Sequence, residues 1–188
     1  MKFFSFLVIV LFALSFAGPN ARGQFSAATA TMTTRNFDLK AGGTVEVKNL
    51  SGRVHLTAEE TQGEKVSLTI HSDKPLGEKE VEVSTENGKF SVRVEPNGAK
   101  TRVDLTLKIP LNSRVKVETD AGEVRVAGEI QSAEVMTVTG TISTDVPLEN
   151  LKYNLVWTSS RPRFLSEVEL EKADEKSGGK FSVSGRLG

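Results

Sequence analysis

Apolar residues recur at every second position through most of the chain, in short runs broken by glycine, asparagine and proline. The clearest run extends from Val115 to Thr144 and holds two segments of one pattern: apolar, x, apolar, x, Thr, x, x, Gly, x, apolar, x, apolar or Thr. Val115, Val117, Thr119, Gly122, Val124 and Val126 fill it first, and Ala133, Val135, Thr137, Gly140, Ile142 and Thr144 fill it again. The same pattern fits Val45 to Leu56, around Asn49 and Gly52, and Val81 to Val92, around Thr85 and Gly88. Residues two apart on a strand share a face, so the apolar positions predict a buried side. Between them stand Glu46, Lys48, Arg53, His55, Lys116, Glu118, Glu123 and Arg125, which predict a wet side. The central glycine is expected where a turn or bulge needs a backbone that a side chain opposes. The Thr or Asn before it can hydrogen-bond local backbone at a corner.

The glycines fall 36, 34 and 18 positions apart. Two strands without the glycine, Val66 to Ile70 and Val103 to Ile109, lie in the wider gaps. A β-solenoid with coils of about 18 residues accounts for all three spacings. The competing architecture is an antiparallel β-sandwich built from hairpins, for which Asn87-Gly88 is a good turn. Either way the chain is all-β. Pro110 should stand at a strand end, since it has no N–H for a ladder.

The flanks read differently. Residues 1–23 predict a signal peptide: Lys2, then a run of apolar residues from Phe3 to Ala17 too short to span a membrane, then the small residues of Ala21-Arg22-Gly23, with cleavage before Gln24. Residues 24–35 are small and polar and read as a flexible leader, with one β-domain over 36–188. After Pro147 the repeat degrades. Tyr153, Leu155 and Trp157 predict a strand, and Phe181 with Val183 a last one. Between them Ser166 and Glu169 fit a capping box, and Leu165 with Leu170 a hydrophobic staple, which together predict a short helix from Glu167 to about Lys176. Residues 145–188 are thus expected as a degenerate terminal unit.

Charge and chemistry narrow the field. Lys plus Arg and Asp plus Glu each number 24, with no basic run, which excludes the electrostatic footprint of a nucleic-acid binder. The absence of cysteine excludes disulfides, thiol catalysis and thiolate metal sites. His55 and His71 are expected as solvated histidines, because a zinc site needs three or four ligands. No nucleophile elbow, phosphate loop or zinc-protease helix occurs. Glu118, Asp120, Glu123, Asp104, Arg102 and Arg125 could gather on neighbouring strands, as a calcium or polysaccharide-cleaving site would require. Their alternating signs read more simply as a solvated face. No catalytic, cofactor or metal residue is assigned. One constellation, Trp157 with Arg161 and Arg163, could form a surface contact.

The run FDLKAGGTVEVKNLSGRVHL, then KVSLTI, then LTLKIPLNSRVKVETDAGEVRVAGEI, resembles a bacterial adhesin-like family catalogued as a domain of unknown function. The resemblance covers residues 37–144. It implies a right-handed β-helical domain on exported or envelope proteins, with no catalytic residue and no cofactor. Members often sit in longer chains, sometimes beside a von Willebrand type A domain. The expectation is a non-catalytic module that is periplasmic, cell-surface or extracellular. It would present a strand surface to a protein or glycan ligand, with no nucleic acid and no membrane span in the mature chain. The alternatives are an assembly module of a larger envelope protein, whose gene product would continue into a further domain, and, third, a carbohydrate-active enzyme.

Overall fold

In the computed structural model, which describes residues 31–97, 101–158, 163–172, 174–176 and 180–187, the alternating runs are strands. Nine of them form one sheet: β1 (Thr31–Asp38), β2 (Thr44–Ser51), β3 (Val54–Ala58), β4 (Lys65–Ser72), β5 (Val81–Glu86), β6 (Lys89–Val94), β7 (Val103–Ile109), β8 (Arg114–Gly128) and β9 (Ser132–Asp145). A second, antiparallel sheet has the order β10 (Lys152–Trp157), β12 (Lys180–Arg186), β11 (Asp174–Lys176). Strand β1 takes in the last residues of the expected leader. The expected signal peptide and cleavage site lie outside the described residues.

The all-β class holds and the solenoid does not. The large sheet runs β1-β4-β7-β3-β8-β2-β6-β5, with β9 on the far side of β8. In a stack of successive coils each unit lies on the next one along the chain, and here only β8 and β9 do so. The first half of β8 pairs in parallel with β2, and its second half with β3. The pairs β1·β4, β4·β7 and β5·β6 are antiparallel. The result is a mixed, nearly closed, barrel-like sheet around one core. Alternation fixes which face of a strand is buried but not which strand lies beside it, so one pattern served several kinds of neighbour.

Three of the four glycine segments take one form. In register, Val47, Val117 and Val135 form a row, as do Asn49, Thr119 and Thr137, and Val54, Val124 and Ile142. The chain bends at Gly52, Gly122 and Gly140, whose φ angles are 129°, 133° and 153°. A Cβ on Gly122 would stand 1.9 Å from the Gly52 carbonyl oxygen, and one on Gly140 1.9 Å from that of Gly122. Bare backbone is therefore the only filling the bend accepts. The polar residue three places earlier caps it. Asn49 Nδ2 donates to the Val103 carbonyl at 2.9 Å, Thr119 Oγ1 to that of Ala121 at 3.3 Å, and Thr137 Oγ1 to that of Thr139 at 3.2 Å.

The fourth segment is a hairpin. Asn87 and Gly88 have φ of 50° and 74° and join β5 to β6 in two residues. Asparagine before glycine accepts the left-handed region at both turn positions. Ser51, Ala121 and Thr139 precede the other glycines and accept it less readily.

The core is lined by the inward positions of β2 to β4 and β6 to β8, among them Val45, Leu56, Leu68, Phe90, Leu105 and Val117. Phe37 of β1 meets Phe90 of β6, ring centroids 5.1 Å apart, across this interior. No residue of the small sheet belongs to the cluster among the described residues.

The helix expected over Glu167 to Lys176 is absent from its described residues. The Ser166 hydroxyl accepts from the N–H of Val168 at 3.3 Å, a local turn, and Leu165 stands fully exposed. Asp174–Lys176 pairs with β12 as a strand. A cap stabilises a short helix only when an apolar face has something to cover it, and this stretch lacks that cover.

The two glycine environments predict different costs. Gly122→Ala should destabilise by about 4 kcal/mol or more, because its Cβ meets fixed backbone. Gly88→Ala should cost only about 1–2 kcal/mol, since open space surrounds the turn and only its φ objects. Urea denaturation of the two variants checks the contrast.

Candidate functional site

On the outer side of the glycine bend, Arg53 leaves Gly52 at the start of β3, opposite Asp104 of β7. The Asp104 carboxylate accepts the Arg53 N–H at 2.8 Å, its Nε at 3.0 Å and its Nη2 at 2.8 Å, and Arg102 Nε at 2.9 Å. Its side chain is 15% exposed. Burial pushes the carboxyl up, but the bonds from Arg102 and from the Arg53 backbone and guanidinium outweigh that and hold it down at about 2. The bond to Asp104 and its charge raise Arg53 above the ordinary guanidinium value. Beside the triad lies a shallow, open depression of about 390 Å³, lined by Ser51, Gly52, Arg53, Arg102, Gly122 and Glu123.

This arrangement is rigid and poorly suited to proton transfer. A carboxylate held that low stays ionised at neutral pH, and an arginine raised above its usual value gives up no proton as a base. The other charged residues that the sequence placed on this face are dispersed into pairs. Glu118 lies 3.4 Å from Lys116, Glu123 3.7 Å from His55 and Asp145 3.8 Å from Arg125, while Lys89 reaches Glu46 at 2.8 Å. Asp120 contributes its backbone carbonyl, which accepts from Thr139 Oγ1 at 3.1 Å. Among the described residues no three His, Asp or Glu side chains gather as metal ligands. His55 and His71 sit on different strands, β3 and β4.

Trp157 ends β10 opposite Phe181. Its ring stacks on Phe164 at 5.7 Å and 29°. Phe164 and Leu165 are exposed, as are Arg163 and Val156. Arg161 lies outside the described residues. Phe164 was missed in the sequence because it follows the irregular corner, although two consecutive large apolar residues in a polar stretch are a usable signal.

The other surface of note is β9. It occupies the same rows as β2, β3 and β8, yet Ile142 is 44% exposed where Val54 and Val124 are 0%. On its outer face Met136 is 47% and Val138 76% exposed. Its sequence differs from that of β8 at the outer Met136 and Val138, which replace Glu118 and Asp120, and at the inner Ala133 and Thr144, which replace Val115 and Val126.

No family model matches the chain, and no curated protein matches it. Three crystal structures among those with a partial likeness to it are a putative adhesin from Parabacteroides merdae, a putative cell adhesion protein from Clostridium sporogenes and a putative lipid binding protein from Parabacteroides distasonis. The first is 13% identical with a TM-score of 0.36, and the match covers 61% of this chain and 52% of that one. For the second the values are 10%, 0.31, 62% and 100%, and for the third 10%, 0.34, 64% and 61%. The chain thus spans about half the length of the P. merdae protein.

Asp104 sets a pH dependence. Its folded value of about 2 lies below the unfolded carboxyl value, so its contribution to stability is present in full above about pH 4 and lost as pH falls toward 2. Asp104→Asn should remove that contribution. Urea midpoints at neutral pH and near pH 2.5 should then differ less in the variant than in the parent.

Proposed function

We propose that this chain is an exported, adhesin-like module that works by surface contact and not by chemistry. One observation carries the reading. Several ionised groups of the outer sheet face stand beside opposite charges, whereas β9 leaves Met136 and Val138 open to solvent on that face and Ile142 open at the end of the core. Exposed apolar surface that a polar sheet does not cover is a mark of contact sites. The resemblance over residues 37–144 supports the same reading, and residues 1–23 supply the export route. The ligand is a protein or glycan of the envelope or of a surface the cell meets. A second reading, an assembly module within a longer envelope protein, is favoured by the same open strand.

The mature chain beginning at Gln24 should bind saturably to isolated cell envelopes or to an immobilised surface ligand. Val138→Asp should weaken this about tenfold while leaving the melting temperature unchanged, because the side chain buries little in the free protein. Binding indifferent to Val138→Asp, or no binding at all, refutes a contact role for β9. N-terminal sequencing of the exported protein checks the cleavage site.

A further inference from the structure

We propose that the free edge of β9 is a strand-addition site, which takes an extended segment of another protein lying parallel to β9 with a basic side chain opposite Glu134. The proposal rests on the reading of β9 as the contact side and names its partner. Over Ser132–Asp145 the strand pairs with β8 along one edge, and among the described residues its other edge carries no partner. A long unpaired edge is a template for another strand, and proteins usually blunt it with lysine, proline or a short length. The β9 sequence, SAEVMTVTGTISTD, has no lysine, arginine or proline.

The inward rows also stop without a lid. Val47 is 2% and Val117 0% exposed, while Val135 in the same row is half-buried. Ala133 is exposed beyond the buried Val45 and Val115. An added strand with apolar residues at alternate positions would continue these rows and cover them.

Charge selects the occupant. The outer row Glu46, Lys116, Glu134 alternates in sign from strand to strand and ends on an acid. Asp145, opposite Ala127 and 78% exposed, adds a second acid near the other end of the strand. The next strand in the series therefore carries Lys or Arg. A second copy docked through its β9 or β5 fits poorly. Antiparallel pairing of β9 with itself over its full length sets Glu134 diagonal to Asp145, and docking of β5 brings Glu82 and Glu86 to the same edge. Like charges across strands are unfavourable. A basic, alternating segment of a different protein satisfies both the main-chain and the charge requirement.

The test uses the mature chain and a fluorescent peptide with the β8 sequence RVKVETDAGEVRVAG, the strand that β9 already accepts on its other edge. Fluorescence anisotropy should show saturable binding. N-methylation of alternate amides should abolish it in one of the two possible phases and spare it in the other, because only one peptide edge faces β9. Glu134→Lys should weaken the parent peptide about threefold, and a peptide with Lys116→Glu should recover that loss on the Glu134→Lys protein. No saturable binding, equal effects of both methylation phases, or no rescue by the charge swap overturns the proposal. Dimerisation of the parent chain in sedimentation that Glu134→Lys alters also overturns it, because a second copy then holds the edge. If the peptide fails while envelope binding persists and remains sensitive to Val138→Asp, strand addition falls and the surface-contact reading stands.

Discussion

Three backbones pass one another with no room for a side chain, and the rest of the large sheet follows from that constraint. The carbonyl oxygens of Val103, Gly52 and Gly122 occupy the places where a Cβ on Gly52, Gly122 and Gly140 would stand. The bend turns β2 into β3 and gives β8 and β9 the same corner. It lets one strand serve two walls, so that β8 joins the β2 side to the β3 side. The capping groups Asn49, Thr119 and Thr137 hold the corner because a bent strand otherwise leaves backbone groups without partners. Asn49 does this while almost wholly buried, and its bond to the Val103 carbonyl ties β2 to the start of β7.

The outside of the sheet is organised by electrostatics of low reach. The pairs Lys89–Glu46, Lys116–Glu118 and Arg125–Asp145 are solvent-exposed, and such pairs contribute little to stability. They set opposite charges beside one another on that face. Asp104 differs because it is largely enclosed and receives five N–H bonds from Arg53 and Arg102, which makes it a clamp between β3 and β7 at the bend. A clamped carboxylate and two engaged arginines form a structural joint, and the shallow depression beside them does not converge on a reacting atom. Among the described residues, exposed large apolar groups cluster on β9 and beside the Trp157–Phe164 stack, with Met32 and Leu148 exposed elsewhere.

One sequence pattern yielded two structures, and the residue before the glycine separates them. Asn87-Gly88 supplies two positive φ angles in succession and closes a hairpin. Ala121-Gly122 and Thr139-Gly140 supply one, and the strand bends and continues. The hairpin was legible in the sequence for that segment, and the bent strand was legible as a break in alternation. The error was to treat four similar segments as four similar coils. The turn at Ser166 carries a related lesson. Its capping residues are correct for a helix, but a local hydrogen bond needs little support, whereas a helix of ten residues needs a covered face.

By itself the sequence determined the all-β class, the inward and outward residues of most strands, the corner glycines and the polar residues that cap them. These follow from local rules: a period of two, the tolerance of glycine for unusual φ, and short-range hydrogen bonding by Thr119 and Thr137; Asn49 instead bonds the distant Val103 carbonyl. The tertiary structure alone decided the strand order, the insertion of β8 beside both β2 and β3, the pairing of Asp104 with Arg53 and Arg102, and the meeting of Trp157 with Phe164. It alone decided that β9 stands at an edge, although its glycine and alternate positions repeat those of the central β8. Period and propensity report the face a residue turns to its own strand's neighbours. They carry no term for which distant segment becomes the neighbour, and that choice rests on how the whole set of apolar faces can be closed at once.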